Sequence, residues 1–305
     1  MTMLQSASGL LKPCYLFSPA TLLRRVFLHV GTPASGSAEV DLPWGASIQV
    51  NLDDQIGSEI FKQRIFDLAL SECAWRILAP GDHVIDAGAN IGYMTMLFAA
   101  KTGSSGVVHA FEPHPTVGAT LERNVQRMAE DGRGGRVITH RQALGATSGV
   151  AQLFESDYFA INQGTASMAN VPSEGESSTS HWVEVETLDD LFPTESFALL
   201  KIDVEGFETE VLTGAEGLLK SRRITHVIYE DHRAGGSGLN EMLTKNGYAV
   251  FAIGYGALGP KLLPTASAED AIDTSWESAS FLATLDPVRV NQVMRSKGWH
   301  VLRGA

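Results

Sequence analysis

The stretch "VIDAGANIGYMTM", Val84 to Met96, joins an apolar run to a helix-like segment through two glycines, an asparagine and one acid. Read as strand, tight turn and helix, it is the arrangement by which open α/β sheets present a ligand site outside the carboxyl ends of their strands. The NAD fingerprint spaces its glycines at positions one, three and six, whereas Gly88 and Gly92 stand four apart with Asn90 where the middle glycine would fall. A dinucleotide also needs a helix N-terminus aimed at pyrophosphate. S-adenosylmethionine carries no phosphate and presents an ammonium and a sulfonium, so an acid at the strand's end, Asp86, favours that ligand. The turn residues Asp86, Gly88, Ala89, Asn90, Gly92 and Tyr93 are therefore candidate cofactor contacts.

Outward from this stretch, strand-like and helix-like runs alternate. "IFKQRIFDLALSECAWRIL", Ile60 to Leu78, spaces apolar residues at helical intervals and stops at Pro80-Gly81. Then follow "HVIDAG" with Tyr93 to Ala100, "VVHAFEP" with Val117 to Met128, "RVITHRQAL", "FALLKIDVEG" with Glu208 to Leu219, and "THVIYEDH" with Gly238 to Asn246. Such alternation predicts an α/β fold with a doubly wound, mostly parallel sheet. Two later runs, "YAVFAIG" and "SFLATL", are expected to form an antiparallel hairpin at the C-terminal sheet edge. Residues 1–38 read as an extension of uncertain order, and 39–305 as one Rossmann-like domain. "NQGTASMANVPSEGESSTSH", Asn162 to His181, interrupts the rhythm. Long insertions of this kind are functional loops or disordered chain, and the Ser/Gly/Glu composition leans toward disorder.

Composition narrows the function classes. The 305 residues are 44% hydrophobic and 19% charged, the balance of a globular chain with a sizeable core. A formal charge of −12 disfavours a broad nucleic-acid surface. Cys14 and Cys73 form no CxxC pair and point to neither a disulfide framework nor a zinc site. No run approaches the ~20 apolar residues of a membrane span and no secretory leader is visible, so cytoplasm is the expected location.

Glu112, in "VVHAFEP", stands at the end of the next strand, 24 residues after Gly88. A carboxylate there can accept hydrogen bonds from both hydroxyls of a ribose. Pro113 follows it, and the third strand's end offers Gln142 and Ala143 to an adenine. Together these describe an adenosine pocket.

The motifs "VIDAGANIGYMT", "FEPHP", "LERNV", "TLDDL" and "LLKIDVEGFETEVLTGAEGLL" resemble the FkbM family of S-adenosylmethionine-dependent methyltransferases over about residues 40 to 255. The first two occur in many class I methyltransferases, and the last is much more particular to this family. The resemblance implies a Rossmann-like sheet, S-adenosyl-L-methionine as cofactor, and O-methylation of a hydroxyl on a sugar, glycolipid or secondary metabolite. The first 38 residues and the Ser-rich insertion have no counterpart in it.

Methyl transfer to an alcohol needs alignment with the sulfonium and a destination for the hydroxyl proton. "KIDVEGFE" brings Lys201, Asp203, Glu205 and Glu208 to a strand-to-helix junction, with Lys201 and Asp203 on one face. Asp203 and Glu205 fall at the carboxyl edge, Asp203 near the donor as well, and "YEDHR" adds Glu230 and His232. His232 is a candidate base or a structural hydrogen-bonder. These four also suit Mg²⁺ or Mn²⁺, although no metal is assigned. Glu208 reads equally as a helix-capping acid. The competing readings are a cofactor-binding scaffold without chemistry and, less favoured for want of the third glycine, an NAD-dependent oxidoreductase.

Overall fold

A computed structural model describes residues 35–169, 179–231, 238–256, 258–265 and 279–303. Its elements run in chain order. A hairpin of β1 (Ser37–Asp41) and β2 (Ser47–Asn51) precedes helices α1 (Gln55–Gln63) and α2 (Leu68–Ile77). The core repeat follows as β3 (His83–Ala87), α3 (Tyr93–Thr102), β4 (Val107–Phe111), α4 (Pro115–Glu130) and β5 (Arg136–His140). Next come β6 (Ala143–Leu144), β7 (Gly149–Phe154), β8 (Ser180–Glu186) and the single turn α5 (Leu188–Leu191). The second half holds β9 (Phe197–Ile202), α6 (Glu208–Thr213), α7 (Glu216–Lys220), β10 (Ile224–Asp231) and α8 (Leu239–Lys245). It ends with β11 (Ala249–Gly254), β12 (Lys261–Leu263), β13 (Ala279–Thr284) and α9 (Pro287–Met294).

Eight strands form the main sheet in the order β12-β11-β13-β10-β9-β3-β4-β5. Five of them, β10, β9, β3, β4 and β5, are parallel, and β13 runs antiparallel to both β10 and β11. The two late runs thus pair antiparallel as expected, but β13 inserts between β10 and β11, and the hairpin at the very edge is β11 with β12. Alternation along the strands gives two cores. Val84, Leu199, Ile228 and Leu282 face the side covered by α2 and α3; Ile85, Leu200, Val227 and Phe281 face the side covered by α6, α7 and α8.

Three expectations change. The helix expected over Ile60–Leu78 is two helices, because Arg64 and Asp67 take positive φ (60° and 36°) and the Asp67 carboxylate caps α2 by accepting from Leu70 N at 3.0 Å. An aspartate that bonds the next turn's backbone starts a helix better than it continues one. The strand expected over "RVITHRQAL" ends at His140, and Ala143–Leu144 joins a separate three-stranded sheet, β6-β8-β7. The helix expected over Glu208–Leu219 breaks into α6 and α7 at Gly214, where a Cβ would overlap the Gly145 carbonyl. The 1–38 extension lies almost wholly outside the described residues. No helix among the described residues is long and apolar enough to cross a membrane.

Candidate active site

The carboxyl ends of β3, β4, β9 and β10 converge on the glycine turn. In that turn Gly88 has φ +74°, and a Cβ there would overlap the Asp203 carbonyl oxygen. Glycine is demanded there by the approach of the β9 loop. Gly88 N and Ala89 N both donate to Phe111 O, at 3.0 and 2.9 Å, which ties the turn to the end of β4. Asn90 is left-handed, φ 48°, and Gly92 caps α3.

Glu112 is 8% exposed. Its Oε2 accepts from Asn90 N and its Oε1 from His114 N, each at 2.9 Å. Burial raises this acid to about 7, against the lowering pull of those two backbone bonds. Each oxygen keeps a second lone pair, so the carboxylate fits a pair of vicinal hydroxyls. Pro113 belongs to a shallow pocket beside it, shared with Pro115, Arg141, Trp182, Val183 and Glu184.

The other half of the site is organised by a lysine. Lys201 projects from β9 beneath the turn, and its Nζ donates to Gly88 O at 2.8 Å. The same Nζ lies 3.4 Å from Asp86 Oδ1 and 3.3 Å from Asp203 Oδ2. Burial works against its charge, but Asp203, Asp86 and Glu230 together hold the ammonium well above its ordinary range. Asp86 is fully buried and also accepts from Thr95 Oγ1 at 2.6 Å. The cation that Asp86 meets is therefore Lys201, where a ligand's amine was expected. Asp203 is the accessible acid of the group, with 38% of its side chain exposed. Next to it Glu205 sits at φ 51°, a costly conformation for a non-glycine residue. Burial, then Asp203 and Glu208, push its carboxyl up to about 8. Asp67, also at positive φ, approaches from the α1–α2 break; its carboxyl is raised by burial and, more weakly, by Asp203, and it accepts from Tyr255 Oη at 3.4 Å.

The structure thus brings together Asp86, Gly88, Ala89, Asn90, Gly92, Glu112, Asp203, Glu205 and, through Lys201, Glu230. Three further expected contacts, Tyr93, Gln142 and Ala143, have side-chain partners within the protein. Tyr93 is buried, its hydroxyl accepting from Phe66 N at 3.0 Å and bonding Ser71 Oγ at 3.1 Å, with Trp44 edge-on at 5.3 Å. Ala143 is packed under the small sheet with Leu153, Val183 and Val185. Gln142 reaches Glu184 at 3.4 Å. Glu208 is buried and accepts from Gly206 N at 3.0 Å, in the loop before α6, instead of capping the helix as its alternative reading had it. His232 lies outside the described residues. The residues missed were Lys201 as the hub, signalled by a lone cation in the apolar run "FALLKI", and Asp67, hidden inside what read as one helix.

A second cluster, His114, Glu155 and His181, gathers beyond Glu112. His114 Nδ1 accepts from Val117 N at 3.4 Å, which leaves Nε2 to carry the proton and donate to Glu155 Oε1 at 3.3 Å. His181 Nε2 meets the same oxygen at 2.9 Å. The three side chains thus form a hydrogen-bonded clasp around one carboxylate oxygen.

A doubly wound sheet whose glycine turn faces a strand-end glutamate, with acids at the next central strand, is the α/β architecture of Rossmann-like methyltransferases. The profile of the Methyltransferase FkbM domain matches residues 86–250, more than half of the chain, and the chain belongs to that family. It is 34% identical over 206 residues to the 31-O-demethyl-FK506 methyltransferase FkbM of Streptomyces tacrolimicus, covering 57% of this chain and 75% of that one. It is 34% identical over 173 residues to the hexuronic acid methyltransferase AglP of Haloferax volcanii, 55% of this chain and 65% of that one. With the AMB antimetabolite synthetase AmbE of Pseudomonas aeruginosa it shares 26% identity over 249 residues, 70% of this chain but 11% of that much longer protein.

Proposed function

We propose that the protein transfers the methyl group of S-adenosylmethionine to a hydroxyl of a sugar, glycolipid or secondary metabolite. The observation that carries this reading is the pairing of Glu112 with the Asp203–Glu205 edge across one glycine turn. Glu112 would hold the ribose hydroxyls, with Asn90 and Pro113 beside it. The donor supplies an activated methyl group, and what is left to the chain is to align the acceptor and take its proton. Asp203, exposed and 3.3 Å from the Lys201 ammonium, accepts a hydrogen bond from the acceptor hydroxyl. Glu205, raised to about 8, takes the proton in its ionised form, so turnover grows as pH rises toward 8. Glu230 tunes the Lys201 group from β10. Relatives named for an O-demethyl macrolide and for hexuronic acid support a hydroxyl-bearing small molecule or glycan, and the net charge of −12 speaks against nucleic acid. Thermal-shift screening with S-adenosylmethionine, S-adenosylhomocysteine and NAD tests the donor, since a ligand of the native state raises the midpoint by mass action. The first two are expected to raise it; a shift with NAD alone would sink the reading. Labelled donor incubated with cell extract, followed by identification of the labelled product, then tests the acceptor and the O-linkage.

A further inference from the structure

Of the insertion expected over Asn162–His181, residues 162–169 are described, and together with the preceding 155–161 they form a strap that lies directly against the turn. Its base is the clasp: Glu155 accepts from His114 and His181, and Phe159 packs on the His114 ring with centroids 4.6 Å apart. The strap then crosses to the start of α1, where Gln55 N donates to Ile161 O at 2.7 Å. Asp54 there holds two chains at once, its Oδ2 capping Gly57 N and its Oδ1 accepting from Gln163 N, each at 2.8 Å. At Gly164 the strap meets the glycine turn so closely that a Cβ would lie 3.3 Å from Asn90 Nδ2 and 3.2 Å from Ile56 Cδ1. It returns by an antiparallel bridge between Phe154 and Ser167. There the buried Ser167 hydroxyl donates to Glu205 O at 2.6 Å and accepts from Ala169 N at 3.0 Å.

The strap thus touches the β4 end through His114 and the turn through Asn90, the sides assigned to the donor, and the acid edge assigned to the acceptor through Glu205. A short connection between β7 and β8 would complete the small sheet equally well, so closing that sheet does not account for these contacts. Ser167 bonds the carbonyl of the residue whose left-handed backbone aims the acid edge, and hence fixes a conformation that glutamate does not adopt freely. We propose that residues 155–169 form the roof of the donor site and that Ser167 is a positioning residue, holding the Glu205 loop closed over the bound S-adenosyl group. This rests on the donor reading above.

Hydrogen exchange of the full chain with and without saturating S-adenosylhomocysteine, read by mass spectrometry, tests the roof. Stopped-flow release of the same ligand from wild type, Ser167→Ala and Ser167→Thr tests the residue. Amides of residues 159–167 are expected to exchange at least about tenfold more slowly with ligand. Ser167→Ala should release it about tenfold faster, the effect of one net hydrogen bond, and Ser167→Thr should restore near wild-type release. Exchange of the strap left unchanged by a ligand that binds overturns the roof while leaving the donor reading intact. Protection combined with wild-type release from Ser167→Ala overturns the positioning role. A folded wild type that binds no S-adenosylhomocysteine overturns both this proposal and the donor reading beneath it. The exchange arm needs no variant, so it decides the roof even if Ser167→Ala does not fold.

Discussion

Glu112 and Glu205 are both glutamates withdrawn from water at strand ends, and burial raises both, to about 7 and about 8. Their neighbours are opposite in kind. Glu112 is held by two backbone N–H groups that pull its proton affinity back down, whereas Glu205 has Asp203 and Glu208 beside it, pushing the same way as burial. Backbone bonds fix where a carboxylate is; crowding by like charge fixes how readily it takes a proton. The first arrangement suits holding a ligand and the second suits proton transfer. The acid edge depends on one buried cation, Lys201, while the Glu112 side is built from main chain.

The largest expected effect breaks the comparison at that cation. Lys201→Met leaves the buried Asp86 without its charge partner and should cost about 3–5 kcal/mol of stability, the scale for removing one member of a buried pair. Chemical denaturation measures it, and a loss below about 1 kcal/mol would mean that charge does not hold the edge. Next is Glu112→Ala, expected to weaken S-adenosylhomocysteine binding by about 1.5–3 kcal/mol, as for hydrogen bonds to a charged group. Calorimetry on the folded variant checks it; wild-type affinity would remove Glu112 from the site.

The smallest effects lie in pH. An acid whose native proton affinity exceeds its unfolded value of 4.5 binds more protons folded than unfolded, so its contribution to stability falls as pH rises from about 4.5 through about 8. Glu205→Gln should therefore flatten the fall of melting temperature over that range. It should also abolish the rise in turnover that deprotonation near 8 gives the wild type. A profile identical in wild type and variant would transfer the proton to another group at the edge. Ligand affinity should respond separately, growing as Glu112 ionises near 7, with Glu205→Gln leaving that dependence in place.

What was legible in the sequence was whatever is local or periodic. The alternation of apolar runs with helix signals gave the parallel sheet, and glycine spacing plus a following strand-end acid located the turn and Glu112, because each strand's carboxyl end is its next residue in the chain. Less legible was anything that depends on which atoms meet. Tyr93, in the turn's own sequence, bonds Phe66 and Ser71 and packs against Trp44, since a side chain's direction is set by what covers the strand or helix. Asp67 starts a second helix where periodicity carried one straight through. The sequence alone therefore determined the family, the mostly parallel sheet and where acids fall along it. Only the tertiary structure decided that Lys201 neutralises Asp86, that Gly88 is glycine because Asp203 O approaches it, and that the insertion lies on the turn. These are contacts between segments from some 70 to more than 110 residues apart, as with Lys201 and Gly88 at 113, and no local pattern encodes a distance closed by packing.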